Sequence, residues 1–342
     1  MEKRMMKKGK VSVVALFVLL LVSCSYASDD RPHKRRKSIP PSKALALNRV
    51  GSSVVFPMLG NVYPKGFYHV TLFVGQPPKP YFLDPDTGSD LTWLQCDAPC
   101  VHCTKAPHPP YKPSNDLVIC KDPLCSSLHP PGHHDCKDPE QCDYFVEYAD
   151  GSSSLGVLLR DVVPVNLTNG VQVRPRLAIG CGYDQVPGKY NYHPIDGVLG
   201  LGKGKSTIVS QLYNQGVVQN VLGHCLNSRG GFLFFGDDLY DSSRVVWTPM
   251  LSDDSYKHYS PGFAELTLGG KTTGFKNLRV IFDTGSTYTY LDSLAYQALI
   301  SWVNGELAGK PLKEDRVMLS HSAGKAENLS KIFAMSKNTS SP

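Results

Sequence analysis

Two related runs of sequence, about two hundred residues apart, constrain the fold of this chain most strongly. The first is "FLDPDTGSDLTWL" at residues 82–94, and the second is "VIFDTGSTYTYL" at residues 280–291. Aligned on their aspartates, the two runs place Asp86-Thr-Gly-Ser over Asp283-Thr-Gly-Ser. This internal repeat predicts two similar halves, each presenting one aspartate on a tight glycine turn, where the missing Cβ allows close backbone approach.

A single Asp-Thr-Gly is a common β-turn sequence and carries little information. Two copies with matched flanks carry more, because the carboxyl groups of Asp86 and Asp283, brought together, could not both ionise. A shared proton leaves one carboxylate as a base and one carboxylic acid as a donor, and such a pair could activate water against a peptide carbonyl. The titration belongs to the pair, so neither residue receives a separate role.

The pattern of short apolar runs separated by glycine and proline predicts an all-β protein. Its 342 residues include 30 glycines and 26 prolines, and from Gly66 onward these separate short β-branched and aromatic runs. Helical periodicity is clear only in "STIVSQLYNQG" after Gly204 and in "SLAYQALISWVNGEL" after Asp292. The length allows one large or two medium domains.

The N-terminus predicts export. A basic stretch, a twelve-residue apolar run and a small-residue cleavage site describe a signal peptide at residues 1–27; a membrane anchor is the alternative, although the apolar run is short for one. Residues 28–60 are expected to be a pro-segment or a disordered basic tail. Sequons at Asn166, Asn328 and Asn338 predict a glycoprotein.

The net charge does not indicate a nucleic-acid partner. The formal charge is +6, but residues 1–50 hold 12 Lys/Arg and 3 Asp/Glu, or +9. The remainder therefore holds 24 basic and 27 acidic residues, or −3, and lacks the basic footprint of a DNA- or RNA-binding protein.

Cysteines cluster in residues 96–142 among prolines and histidines. Disulfides are the favoured interpretation for an exported chain, because this segment has little apolar content for a core. A zinc site using Cys100, Cys103, His102 and His108 is the alternative. Connectivity cannot be deduced, and the nine cysteines beyond the signal peptide cannot all pair with one another. These nine are Cys96, Cys100, Cys103, Cys120, Cys125, Cys136, Cys142, Cys181 and Cys225.

With the repeat and the Cys-rich segment in view, the wording "YFLDPDTGSDLTWLQCDAPC" resembles the pepsin-type aspartic endopeptidases, in particular the plant nucellin-like or nepenthesin-like branch. Their catalytic dyad is the standard example of two carboxyls sharing a proton. The resemblance covers residues 54–310. It implies an all-β, bilobal pepsin-like acid protease fold with a few short helices, polypeptide substrates, a monomer, and no cofactor, metal, nucleic acid or stable membrane insertion after signal cleavage. The implied location is the extracellular apoplast or the vacuole.

The resemblance also assigns individual residues. Asp86 and Asp283 match the catalytic pair, Tyr148 matches the flap tyrosine, and Trp93 matches its supporting tryptophan. Residues 195–202, "IDGVLGLG", match the element that threads behind the first aspartate. Ser89 and Ser286 match the residues that orient the catalytic carboxylates. The expected substrate-binding set is Tyr148, Gly151, Trp93, Gly88, Gly285, Ser89, Ser286, Thr87 and Thr284.

Two departures from the pattern qualify this picture. Asp84 and Pro85 stand where the second copy has Ile281 and Phe282, and Pro85 removes a backbone donor from a strand expected to be buried, which puts the geometry of Asp86 in doubt. The second half also lacks a hydrophobic-hydrophobic-Gly threading element. We therefore expect an N-terminal lobe at 61–240, a partial C-terminal lobe at 241–310 and a disordered tail at 311–342, with a short helix at 329–335 as the alternative.

These observations favour an aspartic-type endopeptidase. A catalytically impaired isoform that acts as a binding or inhibitor-like protein on the same fold is the alternative, since the aspartates are intact but the second lobe is expected to be incomplete. A chain that does not fold stably is a third possibility.

Overall fold

The computed structural model describes residues 52–62, 64–129, 140–188, 195–251, 258–268, 270–307 and 330–331. The predicted signal peptide and most of the predicted tails lie outside these residues. The strands are β1 (Val54–Asn61), β2 (Phe67–Val74), β3 (Lys79–Asp86), β4 (Trp93–Gln95), β5 (Asp143–Glu147), β6 (Ser153–Val162), β7 (Val165–Asn166), β8 (Gln172–Val173), β9 (Arg176–Val186), β10 (Gly197–Gly200), β11 (Leu222–Asn227), β12 (Gly230–Phe235), β13 (Tyr259–Ala264), β14 (Thr267–Leu268), β15 (Lys271–Thr272), β16 (Leu278–Phe282), β17 (Tyr290–Leu291) and β18 (Ser330–Lys331). The helices are α1 (Pro123–Leu128), α2 (Ile208–Asn214) and α3 (Ser293–Leu307).

A ten-stranded sheet in the order β11-β12-β1-β2-β3-β10-β4-β9-β6-β5 forms the main body of the described chain. Side chains alternate between its two faces, so that Val54, Phe56 and Met58 of β1 are buried while the residues between them are exposed. The predicted all-β class is confirmed. The expected tail ended at residue 60, and that boundary is wrong, because β1 begins at Val54 and its alternating apolar residues join the core.

The short strand β10 threads through the middle of this sheet. It runs parallel to β3, with Gly200 beside Asp86, and antiparallel to β4, with Gly197 beside Leu94. A Cβ on Gly197 would lie 1.9 Å from the carbonyl oxygen of Trp93, so only glycine fits there. The amide of Leu201 donates to the carbonyl of Asp86 at 2.8 Å. This is the threading element that the sequence predicts at residues 195–202.

Pro85 does not disturb strand β3. It lies within β3, is buried, and stands beside Leu199 in the parallel ladder with β10. The strand continues through Asp86, and its neighbours β2 and β10 remain paired on either side. The doubt that the sequence raises about the geometry of Asp86 is therefore unfounded.

Disulfides hold the Cys-rich segment. Cys96 bonds to Cys181 of β9, Cys100 bonds to Cys103, and Cys125 of α1 bonds to Cys142. The zinc alternative at Cys100 and Cys103 is wrong, because the disulfide uses both sulfurs. The two histidines of that alternative contact carboxylates instead, at 3.2 Å for His102 with Asp184 and at 2.7 Å for His108 with Asp196. None of the described cysteines is free.

Both predicted helices form, and each begins at a side-chain cap. The Thr207 hydroxyl accepts from the amide of Ser210 at the start of α2, and the Asp292 carboxylate accepts from the amides of Leu294 and Ala295 at the start of α3. No helix within the described residues is long and apolar enough to cross a membrane.

The region after residue 241 forms small two-stranded sheets. β13 pairs with β16, β14 pairs with β15, and β17 pairs with β18. Because the two residues of β18 are extended and paired, the alternative of a helix is wrong at those two positions. The rest of the predicted tail lies outside the described residues, and the division of the chain into lobes stays a prediction.

Candidate active site

The two Asp-Thr-Gly loops face each other. Each loop follows a strand, β3 for Asp86 and β16 for Asp283, and folds back so that a glycine amide reaches the carboxylate of its own loop. The amide of Gly88 donates to Oδ1 of Asp86 at 2.8 Å, and that of Gly285 donates to Oδ1 of Asp283 at 2.9 Å. The repeat in the sequence is therefore a repeat in local geometry.

The structure brings the two carboxyl groups together across the loops, close enough for the charge of Asp283 to raise the pKa of Asp86. The glycines make this approach possible. A Cβ on Gly285 would lie 2.5 Å from Oδ1 of Asp86, and a Cβ on Gly88 would lie 2.8 Å from Oδ1 of Asp283. Because each side chain would occupy the place of the opposite carboxyl group, neither glycine can be replaced without separating the pair.

Burial and neighbouring charge set the ionisation of Asp86. The residue is 7% exposed, and its pKa is raised first by desolvation and second by the charge of Asp283. Hydrogen bonds donated by Ser89 and Gly88 act in the opposite direction. The Ser89 hydroxyl contacts Oδ2 of Asp86, and the Ser286 hydroxyl donates to Oδ2 of Asp283 at 2.7 Å.

The two threonines form a reciprocal brace between the loops. The amide of Thr87 donates to Oγ1 of Thr284 at 3.1 Å, and the amide of Thr284 donates to Oγ1 of Thr87 at 2.9 Å. Each hydroxyl in turn donates to a carbonyl of the opposite strand, that of Phe282 at 3.0 Å and that of Pro85 at 2.5 Å. Both threonines belong to the substrate-binding set that the sequence predicts. In the structure their hydroxyls bind the opposite loop. Their identical positions in the repeat were the signal that could have revealed this.

A hairpin of β5 and β6 carries Tyr148 toward the aspartates. Tyr148 begins a turn closed by the amide of Gly151, and Gly151 has a positive φ of 80° with open space around its Cα. The indole Nε1 of Trp93 donates to the Tyr148 hydroxyl at 2.7 Å. Desolvation raises the pKa of Tyr148, and the charge of Asp86 also raises it, so this hydroxyl stays protonated. The structure thus places the Tyr148–Trp93 pair near Asp86.

Comparison with known proteins agrees with this arrangement. Residues 68–237 match the family model described as Xylanase inhibitor N-terminal. An aspartic proteinase of Oryza sativa subsp. japonica is 46% identical over 279 residues, which cover 79% of this chain and 64% of that relative. The chain is similar to the pepsin-like aspartic proteinases. It spans somewhat less than two thirds of the length of this relative.

Solved structures support the same fold. The chain superposes on the aspartic proteinase from Irpex lacteus with a TM-score of 0.51 at 21% identity, covering 74% of this chain and 68% of that one. For the Basic 7S globulin from soybean the TM-score is 0.58 at 18% identity, covering 78% and 73%. At these identities the likeness shows a shared fold.

The sulfur atoms of a potential metal-binding group in this chain are already bonded to each other. Among the described residues, Cys125, His129 and Cys142 are the group whose donor atoms lie close enough to hold an ion. The Cys125–Cys142 disulfide leaves neither sulfur available as a thiolate.

Proposed function

We propose that this chain is an aspartic-type endopeptidase, which hydrolyses peptide bonds in proteins through a water molecule activated by the Asp86–Asp283 dyad. The observation that carries the proposal is that the two carboxyl groups face each other across the loops, each held by a serine and a glycine of its own loop. Two facing carboxyl groups fixed in this way are pre-organised for proton transfer.

The chemistry requires one proton on the pair. The unprotonated carboxyl oxygen accepts a proton from water as the water oxygen attacks the peptide carbonyl carbon, while the protonated carboxyl group donates to the carbonyl oxygen. The resulting tetrahedral diol collapses when the carboxyl group that took the water proton gives it to the leaving amine. The opposite carboxylate takes a proton from a diol hydroxyl as the C–N bond breaks, which restores a single proton on the pair. Raised proton affinity at Asp86, caused by burial and by Asp283, favours retention of that single proton in acid.

The substrate is proposed to be an extended polypeptide lying beneath the Tyr148 hairpin. The left-handed glycine at Gly151 and the open space around it allow the tip to move, while the Trp93 bond fixes the tyrosine relative to the dyad. Function as a monomer in the secretory route, in the apoplast or a vacuole, is part of the proposal. The three described disulfides suit an oxidising compartment.

The proposal is tested with the purified full chain, acidified and mixed with a denatured protein substrate. We expect cleavage that pepstatin blocks and that Asp86→Asn or Asp283→Asn abolishes. Asp97→Asn is the matched control, because Asp97 is an exposed aspartate of the same sheet region. Circular dichroism verifies that each variant folds. If the folded parent cleaves nothing, or if Asp86→Asn cleaves as well as the parent, the proposal fails.

A second candidate is a binding protein that uses the same fold without catalysis. The description of the matching family model, Xylanase inhibitor N-terminal, is the observation that favours it. A partner retained at neutral pH together with an absence of pepstatin binding would support this role. Saturable pepstatin binding that Asp86→Asn removes would favour the endopeptidase instead.

A further inference from the structure

A third carboxyl group lies on the strand that ends in the dyad. Asp84 stands two residues before Asp86 in β3, so the two side chains emerge on the same face, about 7 Å apart along the strand. Asp84 retains a small accessible surface, yet desolvation is the largest cause that raises its pKa well above the usual range, followed by the charges of Asp86 and Asp283. The mechanism proposed above does not use it.

The surroundings of Asp84 offer little to stabilise a negative charge. In β10 its neighbour in the ladder is Val198, which is itself paired with Trp93 of β4. In the part of the chain that the structure describes, no hydrogen bond or ion pair involves the Asp84 carboxyl group. The second copy of the repeat has the apolar residue Ile281 at the equivalent position. A carboxylate here would be largely removed from water with no hydrogen bond or opposite charge to compensate.

One titratable group of the adjacent strand β2 also faces this region. The register that pairs Val70 with Leu83 places His69 opposite Asp84, and the His69 ring lies 4.6 Å from that of Phe82 on the same face. Desolvation lowers the pKa of His69, as does the charge of Lys65, while Asp196 raises it. His69 therefore tends to be neutral above its lowered pKa and provides no counter-charge for Asp84 at neutral pH.

We propose that Asp84 is a positioning residue that holds the catalytic strand β3 in place only while its carboxyl group carries a proton, so that neutral pH loosens the strand beneath Asp86. The idea rests on the proposed dyad only in naming Asp86 as catalytic. Protonated Asp84 fits beside Val198 as a neutral side chain. Its ionisation places a second negative charge behind the dyad, in contact with the same strand.

The sign of the effect follows from linkage. The pKa of Asp84 is higher in the folded chain than in the unfolded chain, so its contribution to stability is fully present below about pH 4, the unfolded value. That contribution is lost as the pH rises toward and through the folded value. His69 acts in the opposite sense, because a lowered pKa makes its contribution fall in acid. Only the difference between variants therefore reports on Asp84.

The test is the melting temperature of the full chain measured from about pH 4 to about pH 7.5, a window that spans the unfolded values of Asp and His. Asp84→Asn is compared with the parent and with Asp97→Asn, which removes an exposed carboxyl group. We expect Asp84→Asn to gain melting temperature over the parent progressively as the pH rises, while Asp97→Asn follows the parent. A merely structural role would shift the melting temperature equally at every pH, and parallel curves would overturn the proposal.

Two further measurements test the proposal even if Asp84→Asn does not fold. Asp84→Ile installs the residue of the second copy and should remove the same pH dependence. In the parent itself, the carboxyl carbon of Asp84, followed by nuclear magnetic resonance, should titrate well above the ordinary aspartate value; a midpoint near about 4 overturns the proposal. Neither measurement needs catalysis. Repeating the melting series in the Asp86→Asn background separates the outcomes, since without endopeptidase activity the stability difference should persist, reduced only by the part that the charge of Asp86 contributes.

Discussion

Thr87 and Thr284 hold each other's loops through two amide-to-hydroxyl hydrogen bonds of 3.1 and 2.9 Å. The residues are 197 positions apart in the chain, and the brace between them joins the two copies of the repeat. Because both hydroxyls also donate to a carbonyl of the opposite strand, the two threonines together form four hydrogen bonds across the centre of the site. The distance between the carboxyl groups depends on this brace.

Removing one hydroxyl should loosen the dyad. Thr87→Val keeps the shape of the side chain but leaves the Thr284 amide and the Phe282 carbonyl without partners, which should cost about 1–3 kcal/mol of stability. We expect a lower melting temperature and a fall in kcat larger than the change in KM. Thr87→Ser retains the hydroxyl and should behave like the parent. Equal losses in the valine and serine variants would show that packing of the methyl group matters, and not the hydrogen bonds.

The pH dependence of activity should respond to Ser89. The hydroxyl of Ser89 donates to Asp86 and lowers the pKa of that carboxyl group, against the raising effects of burial and of Asp283. In Ser89→Ala the dyad should hold its proton more tightly, so the pH profile of kcat/KM should move to higher pH. Ser126→Ala removes an exposed hydroxyl in the Cys-rich segment and should leave the profile unmoved. A shift to lower pH in Ser89→Ala would contradict this account.

The sequence predicted the centre of the site because the Asp-Thr-Gly-Ser motif occurs twice in the chain. Two matched aspartates required a common geometry, and their carboxyl groups do meet across the loops. The threading strand was predictable for a similar reason, since consecutive apolar residues bounded by glycines suit a buried strand in which a side chain on Gly197 would strike the Trp93 carbonyl. Local pattern and global fold agree in these segments.

Other features depend on contacts that no local pattern encodes. The pairing of Cys96 with Cys181 joins residues 85 positions apart, and spacing alone could not select it from the alternatives. The start of β1 at Val54 was missed because its alternation of buried and exposed residues follows a polar, proline-containing segment. Asp84 differs from its counterpart in the second copy, and the sequence alone puts the geometry of Asp86 in doubt. In the structure the strand accommodates Asp84 between Val198 and His69.

The bond from Trp93 to Tyr148 should set the position of the flap. Trp93→Phe preserves most of the ring but removes the Nε1 donor that lies 2.7 Å from the Tyr148 hydroxyl. One such hydrogen bond contributes about 1 kcal/mol, which predicts a loss of roughly fivefold in kcat/KM. Trp247→Phe is the control, because Trp247 is 70% exposed. Since the two residues act through one bond, Trp93→Phe combined with Tyr148→Phe should be little worse than either alone; additive losses would argue against the bond.

The Cys96–Cys181 and Cys100–Cys103 disulfides should differ greatly in their effect on stability. The Cys96–Cys181 bond closes a loop with a sequence separation of 85, whereas Cys100–Cys103 closes one of 3. Loop-closure entropy of the unfolded chain predicts about 4–5 kcal/mol for the first bond and about 2 kcal/mol for the second. We expect the double variant Cys96→Ala/Cys181→Ala to lose far more melting temperature than Cys100→Ala/Cys103→Ala. Cys96 and Cys181 are also buried in the main core, where their removal leaves a cavity, so the loss should exceed the entropic value. Similar losses in the two double variants, measured by thermal unfolding, would mean that the first bond does not constrain the unfolded chain as its length requires.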